Sequence, residues 1–260
     1  MEKNNEEAVV LKRLGRKVYN YIGKAIYNYG LIKEGDRIIL GISGGKDSFV
    51  LLHDFARRMK KSPVKFYFEA VHVVSDLAKE HHQNELEALF HELNAPYHFI
   101  NVATKARLKE GENFNCYWCA MQRRLEIFKY ATENNFNKIA YAHHLDDVVE
   151  TTLLNMFYKG EISSIVPYMK YDKYPIDIIR PMYTIEERDV ERLAEALGFV
   201  DLSQWCELKD VSRRKTMKDV VATLAKDTKQ IRRNVLNAMM NIKTDYLPKR
   251  IENEKNNNTL

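Results

Sequence analysis

The sequence predicts an α/β protein built on a doubly wound, mostly parallel sheet with extra helices at both ends, on three observations. The apolar run Ile38, Ile39, Leu40 and Ile42 stops at a glycine-rich turn, and Val50, Leu51, Leu52, Phe55 and Met59 then fall on one helical face. Strand-like and helix-like segments alternate from there to Leu197, the pattern of a parallel sheet with crossover helices. The segment 65–74 is largely apolar, as a strand covered on both faces must be.

The elements follow in order. Residues 1–7 are polar and expected to fray. Over 9–29, apolar and aromatic residues (Val10, Leu14, Val18, Tyr21, Ile22, Ile26) recur at helical spacing, while Lys12, Arg13, Arg16, Lys17 and Lys24 fall on the other side. Gly35-Asp36 turns the chain into the first strand. A second strand over 65–74, a helix over 79–93 and a strand over 97–102 lead into a polar connection. Cys116 opens a helix that continues through Tyr130. The strand 138–142 ends in His143-His144-Leu145-Asp146-Asp147, with a helix over 148–158 behind it. Residues 176–182 read as a strand ending at Pro181, and 186–197 as a helix stopped by Gly198. Beyond Trp205 the chain is basic and helical, and it closes on a polar tail.

A chain of 260 residues, 45% hydrophobic and 11% aromatic, has the makings of a globular domain with a sizeable core, which excludes a disordered protein. No apolar run approaches membrane-spanning length and the start does not read as a signal peptide, so the expected location is cytoplasmic. A net charge of +5 permits an acidic partner such as nucleic acid without requiring one. Three cysteines, Cys116, Cys119 and Cys206, argue against a disulfide framework.

The turn Ser43-Gly44-Gly45-Lys46-Asp47-Ser48 is the chemical centre of the sequence. Strand, glycine turn and helix together present backbone N–H groups and a positive dipole end to an anion. The glycines let the backbone close around phosphate oxygens, Lys46 adds a charge, and Ser43 and Ser48 add hydroxyl donors. Asp47 is placed to hold Mg2+ against the phosphates. The spacing is neither that of a Walker A loop, where Ser or Thr follows the lysine, nor that of the dinucleotide fingerprint, which needs a third glycine.

His143-His144-Leu145-Asp146-Asp147 occupies the same kind of strand-to-helix junction. Asp146 and Asp147 could bind magnesium or orient a nucleotide there, or one of them could simply cap the helix that follows. The Cys116–Cys119 pair is compatible with a redox pair, half a zinc site or part of an iron–sulfur site. Three thiolates can hold three irons of a [4Fe–4S] cluster and leave the fourth open.

The string SGGKDS resembles the pyrophosphate loop of the ATP pyrophosphatase (PP-loop) superfamily. With CYWCAMQRR (116–124), HHLDDVVETTLLNMFY (143–158), IIRPM (178–182) and the late Cys206, the chain resembles the TtcA family of tRNA 2-thiocytidine synthetases over roughly residues 15–225. That resemblance implies an N-terminal helical segment (1–34), a PP-loop ATP-binding catalytic domain (35–200) with adenine nucleotide alpha hydrolase-like architecture, and a basic helical extension (201–260) on the same domain. It implies that Ser43, Gly44, Gly45, Lys46, Asp47 and Ser48 bind ATP phosphates, and that His72, Val73 and His143 lie near the nucleotide. Cys116, Cys119 and Cys206 would ligate the cluster, Asp146 and Asp147 would face the nucleotide and Mg2+, and Arg123 would lie near the reacting base. Two departures stand out: Ala142 precedes the histidines where the family has glycine, and the surroundings of Cys206 lack the family's Cys-Gly pattern.

The implied reaction is ATP-dependent adenylation of the C2 oxygen of a pyrimidine, cytidine by the resemblance, followed by its replacement with sulfur. The implied partners are tRNA, a sulfur donor (a cysteine desulfurase or sulfide) and a second copy of the chain. Lys12, Arg13, Arg16, Lys17 and the stretch from Arg213 to Arg233 are the expected tRNA surface. A lysidine synthetase-like ligase shares the loop and the histidine–aspartate motif but has no use for the cysteine pair. A nucleotide-binding metal or redox sensor without catalysis is the other alternative.

Overall fold

The computed structural model describes residues 2–76, 82–107, 116–171, 173–203 and 213–248, without the side chains of residues 2–7, 105, 116 and 117. Cys206, the side chain of Cys116 and the polar tail therefore lie outside the described residues.

Among these residues, the strands β1 (Arg37–Ile42), β2 (Tyr67–Ser75), β3 (Tyr97–Val102), β4 (Lys138–Ala140), β5 (Tyr168–Tyr171) and β6 (Ile176–Ile179) form one sheet in the order β3-β2-β1-β4-β6-β5. All pairings are parallel except β5 with β6 at the edge. The chain leaves β1 toward β2 and β3, then returns to β4 on the other side of β1. The gap between the carboxyl ends of β1 and β4 is thus the point where the winding reverses, the place where such sheets bind ligands.

Consecutive residues of β1 face opposite layers. Ile38, Leu40 and Ile42 join a core with α1 (Glu2–Asn28), α2 (Lys46–Lys61), α3 (Gln83–Leu93) and α6 (Glu187–Ala196). Ile39 joins a second core with Ile127, Phe128 and Ala131 of α4 (Cys116–Glu133). A third cluster binds α5 (Leu145–Lys159) to α7 (Arg213–Asp227) and α8 (Ile231–Met240) through Val148, Val149, Val221 and Leu236. Phe55 of α2 is fully buried and meets Phe66 and Phe68 edge-on at 5.7 and 5.6 Å. Truncating it to alanine costs about 3–5 kcal/mol by the general behaviour of buried phenylalanines. At the amino end of the sheet, the buried Lys138 Nζ donates to Asp36 Oδ2 (2.6 Å) and to the Leu31 carbonyl (3.0 Å).

The expected strands and helices are present, with some shifted ends and one added strand. Residues 2–7 continue α1 instead of fraying, because Glu and Lys extend a helix already nucleated by its buried face. The third helix begins at Gln83, and 77–81 lie outside the described residues. β4 ends at Ala140 and β6 at Ile179, both short of expectation. α5 starts at Leu145, three residues early, because His144 and not an aspartate is its N-cap. β5 has no counterpart among the expected strands; its sequence YMKY carries almost no period-2 signal.

Candidate active site at the carboxyl edge of the sheet

The turn after β1 is held open by its own hydrogen bonds. Gly45 N donates to Ser43 Oγ (3.3 Å), Ser43 N donates to Ser48 Oγ (3.3 Å), and Ser48 Oγ donates to the Gly45 carbonyl (2.9 Å). Gly44 has φ +86°, and a Cβ there would fall 2.2 Å from the Leu202 carbonyl oxygen. The Leu202 N–H in turn donates to the Gly44 carbonyl at 3.0 Å. Both the backbone angle and the close approach exclude a side chain at position 44. α2 then starts behind Gly45, which offers no side chain to cap it. The first-turn N–H groups and the positive end of the dipole are left for an anion.

Two neighbouring helix starts are capped from within. His144 Nδ1 accepts from Asp147 N–H (3.4 Å) while Asp147 Oδ2 accepts from His144 N–H (2.9 Å), a reciprocal cap for α5. Asp146 Oδ2 accepts from the Glu187 N–H at the start of α6 (2.7 Å), and its other oxygen takes Arg232 of α8. Asp146 is therefore committed to holding three helices together. The two adjacent aspartates point to different tasks.

Lys46 Nζ lies 3.0 Å from Glu187 Oε1 and 3.6 Å from Asp47 Oδ1, and Lys218 of α7 holds the other Glu187 oxygen at 2.7 Å. Burial works against the charge on Lys46, but Asp47 and Glu187 outweigh it and raise its pKa. Burial likewise opposes ionisation of Glu187, yet its bonds to Lys218 and Lys46 carry the pKa down to about 2. Asp47 is the opposite case. Its Oδ1 is buried with no hydrogen-bond partner, and burial, with Asp147 and Glu187 adding repulsion, raises its pKa against the pull of His144 and Lys46. His144 Nε2, at the N-cap of α5, lies 3.8 Å from that oxygen. A buried carboxylate oxygen without a hydrogen bond at such a loop suits a cation arriving with its ligand. No group of three or more His, Cys, Asp or Glu among the described residues is arranged to hold a metal alone.

A cavity of about 410 Å3 opens between these strand ends and α4. Ser43 and Val73 form its floor at the ends of β1 and β2, Tyr141 and His143 enter after β4, and Cys119, Arg123 and Arg124 line it from α4. His143 Nδ1 accepts from Arg180 Nε (3.3 Å), so the ring is neutral and carries its proton on Nε2. Burial, with the Arg180, Arg214 and Arg124 guanidiniums, holds its pKa well below the ordinary value although Asp147 pulls the other way. Arg180 is itself buried and donates to the Val166 carbonyl at 2.6 Å; burial and Arg124 bring its pKa down to about 10. The Tyr141 hydroxyl is buried beside the Arg124 guanidinium.

Of the residues singled out from sequence, Ser43, Val73, Cys119, Arg123 and His143 line one cavity. Lys46, Asp47 and Asp147 meet beside it through Glu187 and His144. His72 is buried as a strut, its Nδ1–H donating to the Ile42 carbonyl at 2.9 Å. Sequence reasoning misses Arg124, Tyr141, Arg180 and Glu187. Arg124 is within its reach, being adjacent to Arg123 in a helix that the cysteines place at the site. Nothing local marks Glu187, 141 positions from Lys46.

A family model described as the PP-loop domain matches residues 13–207. The chain is 36% identical to the tRNA-cytidine(32) 2-sulfurtransferase of Syntrophotalea carbinolica over 249 residues, covering 92% of this chain and 94% of that one. It is 33% identical to the enzyme of the same name from Geobacter sulfurreducens, covering 89% and 92%. Among solved structures it resembles the U34-tRNA thiolase NcsA from Methanococcus maripaludis, determined with its [4Fe-4S] cluster. The TM-score is 0.71 at 22% identity, over 90% of this chain and 79% of that one, a likeness of fold. The loop at Gly44, the strand order and these relatives agree: the chain belongs to the PP-loop family, among the tRNA-cytidine(32) 2-sulfurtransferases.

Proposed function

We propose that the cavity between the phosphate loop and α4 is where a tRNA cytidine is activated by ATP and its C2 oxygen is exchanged for sulfur. One observation carries the reading: Ser43 of the phosphate loop and Cys119 and Arg123 of the cysteine helix line the same cavity. A ligase of the lysidine type requires no thiol there. The 36% identical relative bears the corresponding name.

The first step is attack of the cytidine O2 on the α-phosphorus of ATP, with pyrophosphate leaving. The uncapped start of α2 and Lys46 neutralise charge on the phosphates, and Asp47 with Asp147 would hold Mg2+ there. In the second step a hydrosulfide adds to C2, the C2–O bond breaks and AMP departs with the oxygen, and loss of the S–H proton to solvent leaves a thiocarbonyl. His143 contributes a hydrogen-bond donor and not a base, because Arg180 occupies its Nδ1. Arg123 and Arg124 make the cavity cationic, which suits an anionic nucleotide.

The cysteine pair supports an iron–sulfur site: Cys119 lines the cavity and Cys116 lies one helical turn before it. Cys206, the third thiol the resemblance implies, lies outside the described residues. A [4Fe–4S] cluster on Cys116, Cys119 and Cys206 would supply an open iron able to hold sulfide. The sulfur would come from a cysteine desulfurase or free sulfide, and the active form would be a cytoplasmic homodimer. No helix among the described residues is long and apolar enough to cross a membrane.

The test is anoxic purification with iron, sulfide and zinc counted per chain beside a visible spectrum. One cluster per chain, lost in Cys119→Ala, is the expected result. Zinc alone, or no metal after reconstitution with iron and sulfide, would overturn the cluster assignment.

A further inference from the structure

We infer that the groove between α1 and α2, across the sheet from α4, binds the phosphodiester backbone of the RNA substrate; this rests on the reading that the substrate is a tRNA. Three adjoining depressions of about 600, 400 and 250 Å3 meet at Arg57. Lys12, Arg16 and Lys24 line them from α1, and Arg57, Lys60 and Lys61 from α2. Glu92 is the one carboxylate among their lining residues. The other nearby acid, Asp54, is fully buried beneath the groove and occupied by Arg57 (3.3 Å) and Arg58 (2.5 Å).

Arg57 is presented to the groove, not folded away. Its guanidinium lies 4.3 Å from the Tyr19 ring centroid, its side chain is 40% exposed, and its Nε is buried with no hydrogen-bond partner. Tyr19 is fixed beneath it by a 2.7 Å hydrogen bond with His53 Nδ1. Gly23 of α1 lets the second arginine close the floor: a Cβ there would lie 3.2 Å from Arg58 Nη2, which donates to the Tyr19 carbonyl at 2.7 Å. Glycine inside a helix is otherwise destabilising, so its place opposite Arg58 has a packing reason. Tyr27, 87% exposed, ends the groove beside Lys24 and offers a ring on which a base can stack.

Cations at the end of α2 also favour its dipole, which accounts for Lys60 and Lys61 but not for Lys12, Arg16 and Lys24 on the opposite wall. The structure divides the basic face of α1. Arg13 and Lys17 turn instead to a smaller depression with Asp189, which Lys17 meets at 2.7 Å. Arg57 lies about 17 Å along α2 from Lys46 at 1.5 Å per residue, a distance one folded RNA spans while its reacting base occupies the cavity. Cations interleaved with aromatic rings, and little opposing charge, fit a phosphodiester.

The test uses the full chain and unmodified tRNA, with affinity followed by fluorescence anisotropy across a range of salt for Arg57→Gln, Lys60→Ala/Lys61→Ala and Lys12→Ala/Arg16→Ala. Each variant should bind tRNA several-fold more weakly, with the slope of log K against log salt reduced by about one per cation removed. ATP affinity should stay unchanged, which also reports an intact fold, and Lys60 and Lys61 are exposed. Wild-type affinity and slope in all three variants would overturn the inference alone. A wild-type chain without affinity for tRNA would remove the reading beneath it as well. Loss of anionic-vesicle binding with tRNA binding intact would assign the groove to a membrane surface and overturn it too.

Discussion

Glu187 Oε1 stands 3.0 Å from Lys46 Nζ and Oε2 2.7 Å from Lys218 Nζ, so one carboxylate of α6 joins the phosphate loop to the C-terminal helices. Before any phosphate arrives, the cation of the loop already has an anion. Glu187→Gln should therefore tighten ATP binding, as repulsion of the phosphates falls, while lowering the melting temperature. Lys46→Ala should weaken ATP binding by about tenfold or more, the effect of losing the charge-assisted hydrogen bond proposed between Lys46 and the phosphates. Calorimetric titration with ATP checks both; weaker binding in Glu187→Gln with unchanged stability would contradict the account.

The same residue sets an acid limit. Its folded-state pKa is about 2 against an ordinary 4.5, so the folded state binds fewer protons between those values than the unfolded one. The stabilisation is complete above pH 4.5 and disappears as pH falls toward 2. Denaturant melts should show wild type and Glu187→Gln converging over that window.

Glu150 has the opposite sign. Burial, with Asp147 nearby, raises its pKa to about 7 although Arg214, Lys218 and His144 pull it down. Here the folded state binds more protons between pH 4.5 and 7, so its contribution falls as pH rises through that range. Glu150→Gln should remove this slope, seen as a stability difference from wild type that changes between pH 5 and 7. A constant difference would refute the shift.

Gly44→Ala places a methyl carbon 2.2 Å from the Leu202 carbonyl oxygen at φ +86°. The backbone strain alone is about 1–3 kcal/mol, and displacing Leu202 should disturb the loop that meets phosphate. Both the melting temperature and ATP affinity should drop. Gly45→Ala, whose nearest neighbour is Ser43 Oγ at 3.5 Å, is the milder control.

Arg180→Met leaves the Val166 carbonyl and His143 Nδ1 without their donor, at a cost of about 1–3 kcal/mol for each buried group unpaired. Removing the guanidinium should also raise the His143 pKa, though not to its ordinary value, since burial is the larger cause. NMR titration of the imidazole reads this directly.

What is legible in the sequence is what is local. The loop 43–48 shows itself because strand, glycine turn and helix are consecutive, and the parallel sheet because its strands are apolar on both faces. Asp146 and Asp147 are ambiguous in sequence because a carboxylate at a helix start looks the same whether it caps, pairs or binds a ligand. The structure commits Asp146 to the Glu187 N–H and Arg232, and one oxygen of Asp147 to the His144 N–H. Glu187, Arg180 and the α1–α2 groove arise where distant segments meet, and no periodicity reports such a meeting. The edge strand β5 escapes for a different reason: four residues with mixed exposure hold too little pattern.

The most direct test of the central claim is an anoxic thiolation assay on Cys119→Ala with tRNA, ATP and sulfide, reading 2-thiocytidine by mass spectrometry and ATP affinity by titration. No thiocytidine and wild-type ATP affinity are expected, because the Cys119 thiol lines the cavity while the proposed phosphate contacts belong to the loop. Wild-type levels of thiocytidine, or loss of ATP binding together with thiolation, would contradict that claim.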